Sequence, residues 1–127
     1  HGRENTAALD LVEPILSATQ IAEYQATIRK IIIEKNLLKY IAAIVNNTRT
    51  NANLFLGASP RASLGIMTTS KAMAAINGRD FVTPDDIKKV ASAVLSHRIM
   101  LTPEREMEGL TPIKVVQQII ETIEIPR

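Results

Sequence analysis

The chain has 127 residues, a formal net charge of +2 and a hydrophobic fraction of 46%, a composition typical of one globular domain rather than a disordered segment. It contains no cysteine and only 3% aromatic residues, which excludes disulfides and thiolate chemistry and argues against the aromatic stacking of single-stranded nucleic-acid binders. Basic residues are dispersed and no apolar run approaches membrane-spanning length, so we expect no nucleic-acid or membrane partner, and the lack of cysteine fits a cytoplasmic protein.

Apolar residues recur at helical spacing in most of the chain, which predicts an all-α fold, a helical bundle of about five helices. Residues 1–13 lack this pattern and are interpreted as a linker. Several helix starts carry capping signals, among them the capping boxes Ser17 with Gln20 and Thr83 with Asp86. The predicted helices cover residues 17–30, 35–49, 60–77, 84–97 and 112–123, with one short turn at residues 103–108.

Three segments between the predicted helices favour other conformations. The β-branched run at residues 31–33 disfavours a helix and predicts a short extended piece, as does the segment at residues 98–101. Asn and Thr are abundant at residues 46–53, which predicts a loop there. Phe55 follows that loop and is expected to pack and orient it.

The segment Gly57-Ala58-Ser59-Pro60-Arg61-Ala62 predicts a loop that turns abruptly into a helix. Ser59 is a good N-cap, and Pro60 suits the first helical position, where its missing N–H is not needed. Arg61 would then lie in the first turn, where the helix dipole disfavours a cation. An anion such as a phosphate would explain that placement, since free N–H groups and a guanidinium both bind it. The alternative is that Arg61 faces solvent or pairs with a carboxylate.

Other chemistry-bearing residues give weaker indications. The histidines His1 and His97 have no companions at ligand spacing, so no metal site is predicted. The serines have no histidine partner at a suggestive position, which argues against nucleophilic catalysis. The acids Asp85 and Asp86 complement the helix dipole rather than form a catalytic pair. Arg79 lies in a predicted helix stop and turn, and the alternative is that it faces a partner subunit.

The motif at residues 57–64, GASPRASL, resembles the sensor-2 segment of the MoxR family of AAA+ ATPases. The order and spacing of several further motifs match the family together, from about Pro14 to the end of the chain. The resemblance implies an AAA+ lid domain with a short C-terminal extension at residues 14–127, and a linker from an absent upstream ATPase core at residues 1–13. The further matching segments are residues 14–17, 38–41, 78–87, 94–99 and 108–112.

The resemblance also implies a function for this lid. Arg61 would be the sensor-2 residue that contacts phosphate, and Ser59 and Pro60 would complete the cofactor-binding segment. ATP and Mg²⁺ would be used by the full-length protein, whereas this chain lacks a phosphate loop and Walker B acids and would neither bind nucleotide tightly nor hydrolyse it.

The implied partners are the protein's own upstream ATPase core, neighbouring subunits of a homo-oligomeric ring and von Willebrand factor A domain proteins, with chaperone-like remodelling as the task. Two readings of other classes compete with this one. A free-standing helical interaction module would expose a large apolar patch and need no role for Arg61. A helix-turn-helix DNA binder would need a basic recognition helix, but the helix after Thr83 carries Asp85 and Asp86 beside its lysines.

Overall fold

The computed structural model describes residues 11–125, and within this range the chain forms six helices and one two-stranded sheet. The prediction of an all-α fold is confirmed. The count exceeds the predicted five because the turn expected at residues 103–108 forms a short helix of its own. In chain order the elements are α1 Ala18–Lys30, α2 Lys35–Thr50, β1 Leu54–Leu56, α3 Arg61–Ile76, α4 Pro84–Leu95, β2 Met100–Leu101, α5 Pro103–Met107 and α6 Pro112–Thr122.

Helices α3 and α4 make the most extensive contact of the bundle, and α2 and α6 pack around them. The apolar face of α4 is buried in the bundle, as the helical spacing of its apolar residues predicts. Gly65 of α3 lies so close to α4 that an added Cβ would be 3.2 Å from Cγ1 of Val94. The largest aliphatic side chains of the core that are completely buried are Ile44, Ile66, Ile87, Leu95, Val115 and Val116.

Helix α1 lies at the edge of the bundle against α3, and none of its residues is buried. Its capping box of Ser17 and Gln20 is present as predicted. The predicted apolar face is wrong for Ile21 and Tyr24, which keep 45% and 54% of their surface exposed. After α1 the chain runs extended, as expected for residues 31–33, and Ile32 forms an isolated parallel bridge with Phe81.

The turn between α3 and α4 is held by an ion pair of Arg79 with Asp86. The Arg79 guanidinium donates to both carboxylate oxygens at 2.7 and 2.8 Å, while the backbone N–H and hydroxyl of Thr83 donate to the same carboxylate at 2.9 and 3.0 Å. These donors hold the pKa of the buried Asp86 carboxyl at about 2, because they stabilise its charged form. Gly78 precedes the pair with φ of +71°. The interpretation of this segment as a helix stop and turn is therefore confirmed.

The stretch around β1 differs most from the sequence prediction. Helix α2 continues to Thr50, so the loop predicted at residues 46–53 is wrong over most of its length. The polar Thr48 is compatible with the helix because it is buried and its hydroxyl donates to the Val45 carbonyl at 2.6 Å. Phe55 is 74% exposed, so the prediction that it packs is also wrong. Side chains alternate across a strand, and Leu54 is the partly buried one.

The second strand confirms the extended conformation expected near residues 98–101. Strand β2 pairs antiparallel with β1, with Leu54 opposite the buried Leu101. The N–H of Thr102 extends the pairing by donating to the carbonyl of Asn53 at 3.1 Å. The small sheet therefore ties the segment before α3 to the segment after α4.

Candidate functional site

The loop that carries the predicted site residues is fixed to the end of α2. The Thr48 hydroxyl, which donates to Val45, also accepts a hydrogen bond of 2.9 Å from the N–H of the buried Ala58. Gly57 lies directly against the α2 backbone, where an added Cβ would be 2.6 Å from Cα of Arg49 and closer still to the Thr48 carbonyl oxygen. The Thr48 hydroxyl and the absence of a side chain at Gly57 thus determine the path of the chain into α3.

The start of α3 differs from the predicted capping arrangement. Pro60, not Ser59, occupies the N-cap position, with helical angles of φ −56° and ψ −23°, and no side chain caps the helix. The carbonyls of Ser59 and Pro60 instead accept from the N–H groups of Ala62 and Ser63 at 2.9 and 3.0 Å. These two N–H groups are therefore engaged, and the guanidinium of Arg61 becomes the main donor that the site can offer an anion.

Arg61 is exposed in the first turn of α3, and it lines a shallow groove together with Ser59, Pro60 and Leu64. The structure thus brings the three predicted site residues together on one surface. Within residues 11–125 the ion pairs are Arg79 with Asp86 and a surface pair in α5, so Arg61 has no carboxylate partner in that range. Its exposed guanidinium offers a fork of N–H donors, which suits a planar anion such as a phosphate or carboxylate.

The positioning residues Thr48 and Gly57 were not identified from the sequence as parts of the site. A signal for Thr48 was present, because it continues the buried stripe of α2 at three residues after Val45 and four after Ile44. A threonine on such a stripe needs a hydrogen-bond partner when buried. Here the partner across the bundle is the Ala58 N–H of the site loop.

The remaining candidates lie away from this groove. Arg98 donates to the Val94 carbonyl at the end of α4, where the helix dipole favours a cation. His97 is exposed beside it. No three His, Asp or Glu side chains of the described residues cluster as metal ligands would. The described helices include none of the length and apolarity needed to cross a membrane.

Comparison with known proteins identifies the domain type. Residues 46–123 match the AAA lid domain family. The chain is 32% identical over 98% of its length to the protein YeaC of Bacillus subtilis, and 31% identical over 89% of its length to the chaperone MoxR1 of Mycobacterium tuberculosis. An ATPase of Cytophaga hutchinsonii has the same fold with a TM-score of 0.85 at 36% identity over 91% of this chain.

These relatives are longer than the chain. The match covers 39% of the YeaC protein, 32% of the MoxR1 chaperone and 38% of the Cytophaga ATPase. The resemblance to the MoxR family, first drawn from the GASPRASL motif, is confirmed by relatives that cover nearly all of the chain. On the match of residues 46–123, the chain belongs to the AAA lid domain family, in the form that MoxR-family AAA+ ATPases carry.

Proposed function

We propose that this lid senses the nucleotide of a AAA+ ATPase, with Arg61 as the sensor-2 residue that contacts a phosphate when the lid closes over the core. The observation that supports this most is the exposed Arg61 guanidinium, which has no carboxylate partner in the described chain. The loop before it is fixed by the Thr48 hydroxyl and by the close approach of Gly57. A fixed backbone position for an unpaired arginine favours anion binding, because the loop then loses little conformational freedom when the anion binds.

The side chains of the lid fit one part of an ATP–Mg²⁺ site and not the other. The Arg61 fork suits phosphate oxygens. Mg²⁺ prefers carboxylate and water oxygens, and the described residues offer no cluster of acids for it. We therefore propose that Arg61 binds and orients the phosphate, while an ATPase core upstream of this lid supplies the phosphate loop and the Mg²⁺ ligands. ATP hydrolysis then belongs to the full-length protein and not to this domain alone.

We further propose that the full-length protein forms a homo-oligomeric ring and performs chaperone-like remodelling of partner proteins. Support comes from the AAA lid family match and from the relative named as a chaperone. Partners with von Willebrand factor A domains are proposed from the family resemblance. In such a ring the lid couples the nucleotide state of its own core to the neighbouring subunit and to the client.

The test of the sensor assignment is ATP turnover by the full-length protein with Arg61→Ala. We expect kcat to fall by two to three orders of magnitude, since a charge-assisted contact to developing phosphate charge is worth about 3–4 kcal/mol. The melting temperature should barely change, because surface substitutions cost within about 0.5 kcal/mol. Lys71→Ala is the matched control: it removes a cation from the same helix, ten residues or about 15 Å from Arg61.

Normal turnover of the Arg61→Ala protein would overturn the sensor assignment. One observation would then favour the free-standing interaction module. Helices α1 and α3 leave an apolar groove between them, lined by Tyr24, Ile28, Ala72 and Ile76. Ile76 there is a large apolar side chain that is 80% exposed. An interaction module would use this groove and would be indifferent to Arg61.

A further inference from the structure

The distribution of acids along the chain is strongly uneven. Residues 35–79, which include all of α2, β1 and α3, contain no aspartate or glutamate. The cations of this acid-free segment are Lys35, Lys39, Arg49, Arg61, Lys71 and Arg79.

Other parts of the chain neutralise or occupy some of these cations. Asp86 pairs with Arg79, and the Lys71 ammonium donates to the carbonyl of Arg29 at 3.1 Å. Within residues 11–125, Arg79 is the cation of this segment that forms an ion pair, so the unpaired state is shared by Lys35, Lys39 and Lys71. Arg49 differs from these lysines because it lies in a groove that Pro60 borders, next to Arg61.

Arg49 and Arg61 lie on either side of Pro60. Arg49 is exposed in the last turn of α2, and it lines a groove with Asn46, Pro60 and Ser63. Arg61 lines the neighbouring groove, which Pro60 also borders. Gly57 lies directly against the Arg49 backbone, so the loop that leads to Arg61 is in contact with Arg49. Arg49 and Arg61 thus line two neighbouring grooves that Pro60 borders, and neither has an ion pair within residues 11–125.

We propose that Arg49 is a second phosphate-contacting residue, which acts together with Arg61 on the same nucleotide. This inference rests on the sensor function proposed above. Two like charges at one edge repel each other, and an oligophosphate placed between them reverses that repulsion. A polyphosphate also offers oxygens on successive phosphorus atoms, so two planar forks can bind it at once. The competing explanation for Arg49 is purely structural, because a cation in the last turn of a helix interacts favourably with the dipole.

The experiment compares the KM for ATP in the full-length protein with Arg49→Ala and with Lys35→Ala. Lys35 is the matched control, since it is a cation of the same helix at its other end, roughly 21 Å from Arg49 at about 1.5 Å per residue. Loss of one charged hydrogen-bond partner should raise the KM about tenfold in Arg49→Ala. Lys35→Ala should leave it within twofold of the parent.

A second variant, Arg49→Lys, separates the two explanations even if Arg49→Ala folds poorly. Lysine keeps the charge at the helix end but loses the planar fork, so we expect a KM raised about threefold with an unchanged melting temperature. The proposal is overturned if the KM of both Arg49 variants stays within twofold of Lys35→Ala. If Arg61→Ala still lowers turnover in that case, only the role of Arg49 fails. If Arg61→Ala turns over normally, the sensor function fails and the Arg49 proposal with it.

Discussion

Replacement of Gly57 by alanine tests whether the close approach of the Gly57 loop to the α2 backbone fixes the position of Arg61. The three atoms nearest to the added Cβ would all be backbone: the Thr48 carbonyl oxygen, the Arg49 Cα at 2.6 Å and the Arg49 nitrogen at 2.7 Å. Backbone cannot rotate aside as a side chain can, so the loop must lift away from α2. Such overpacking costs about 1–3 kcal/mol. Loss of the hydrogen bond from Ala58 to the Thr48 hydroxyl adds about 1 kcal/mol.

The expected destabilisation is therefore about 2–4 kcal/mol, which for a domain of this size lowers the melting temperature by roughly 8–16 °C. The assay is thermal and denaturant unfolding followed by circular dichroism. Gly65→Ala is the matched control. Its Cβ would meet one side-chain atom, Val94 Cγ1, at 3.2 Å, and the gain of about 1 kcal/mol in helix propensity offsets that contact. This variant should unfold within about 1 kcal/mol of the parent.

Equal melting of the two glycine variants would refute the reasoning, because both carry the same chemical change and differ only in what the new methyl group meets. In the full-length protein the Gly57→Ala variant should also lose ATP turnover at temperatures where it is still folded. The displaced loop carries Arg61 with it, and a misplacement of about 1 Å can cost two orders of magnitude in rate.

Two further predictions concern the α3–α4 unit. Val94→Ala removes buried methyl groups and should cost roughly 1–3 kcal/mol in a denaturant melt, and a parent-like melt would mean that this face is not core. Asp86 has a pKa lowered from 3.8 to about 2, so its pairing with Arg79 should contribute about 2 kcal/mol above pH 4 and be lost as the pH falls through 2. Asp86→Asn should remove that part of the pH dependence when unfolding is measured from pH 6 to pH 2, and an unchanged pH profile would contradict the assigned pairing.

The sequence predicted the fold well where a local rule decides the structure. Ser17 and Thr111 cap their helices through their hydroxyls as the capping patterns indicate, accepting from Gln20 and Lys114. The hydrophobic stripe of α4 is buried as its period predicts. In these cases the deciding partners lie within one or two turns of chain, so periodicity and capping rules contain the information.

The errors occur where a distant part of the chain decides. The polar run at residues 46–53 favours a loop locally, yet Thr48 stays helical because Ala58, ten residues on, satisfies its hydroxyl. The helical period of α1 predicts burial of its apolar face, whereas α1 contacts only α3 among the helices with extensive contacts, and none of its residues is buried. No local pattern contains these facts.

For the site itself, the sequence placed Ser59, Pro60 and Arg61 on one surface but could not show how they are held. The missing information was the contact between the end of α2 and the loop at Gly57, two segments that meet only in the folded chain. Arg49 was overlooked for the same reason, because its neighbourhood to Pro60 exists only after α2 and α3 have packed.

The ion pair of Arg79 with Asp86, here called the clasp, affects how α3 and α4 can move within the lid. Helix α3 has Arg61 at one end and the clasp at the other, and its 16 residues span about 24 Å. Asp86 binds Arg79, which follows α3, and Thr83, which starts α4. We therefore expect α3 and α4 to rotate together as one rigid unit rather than slide past each other. A tilt of about 10° pivoting at the Arg61 end would sweep the clasp through roughly 4 Å. If Arg61 contacts a phosphate as proposed, a small rotation there would become, at the opposite end of the domain, a movement as large as a side chain.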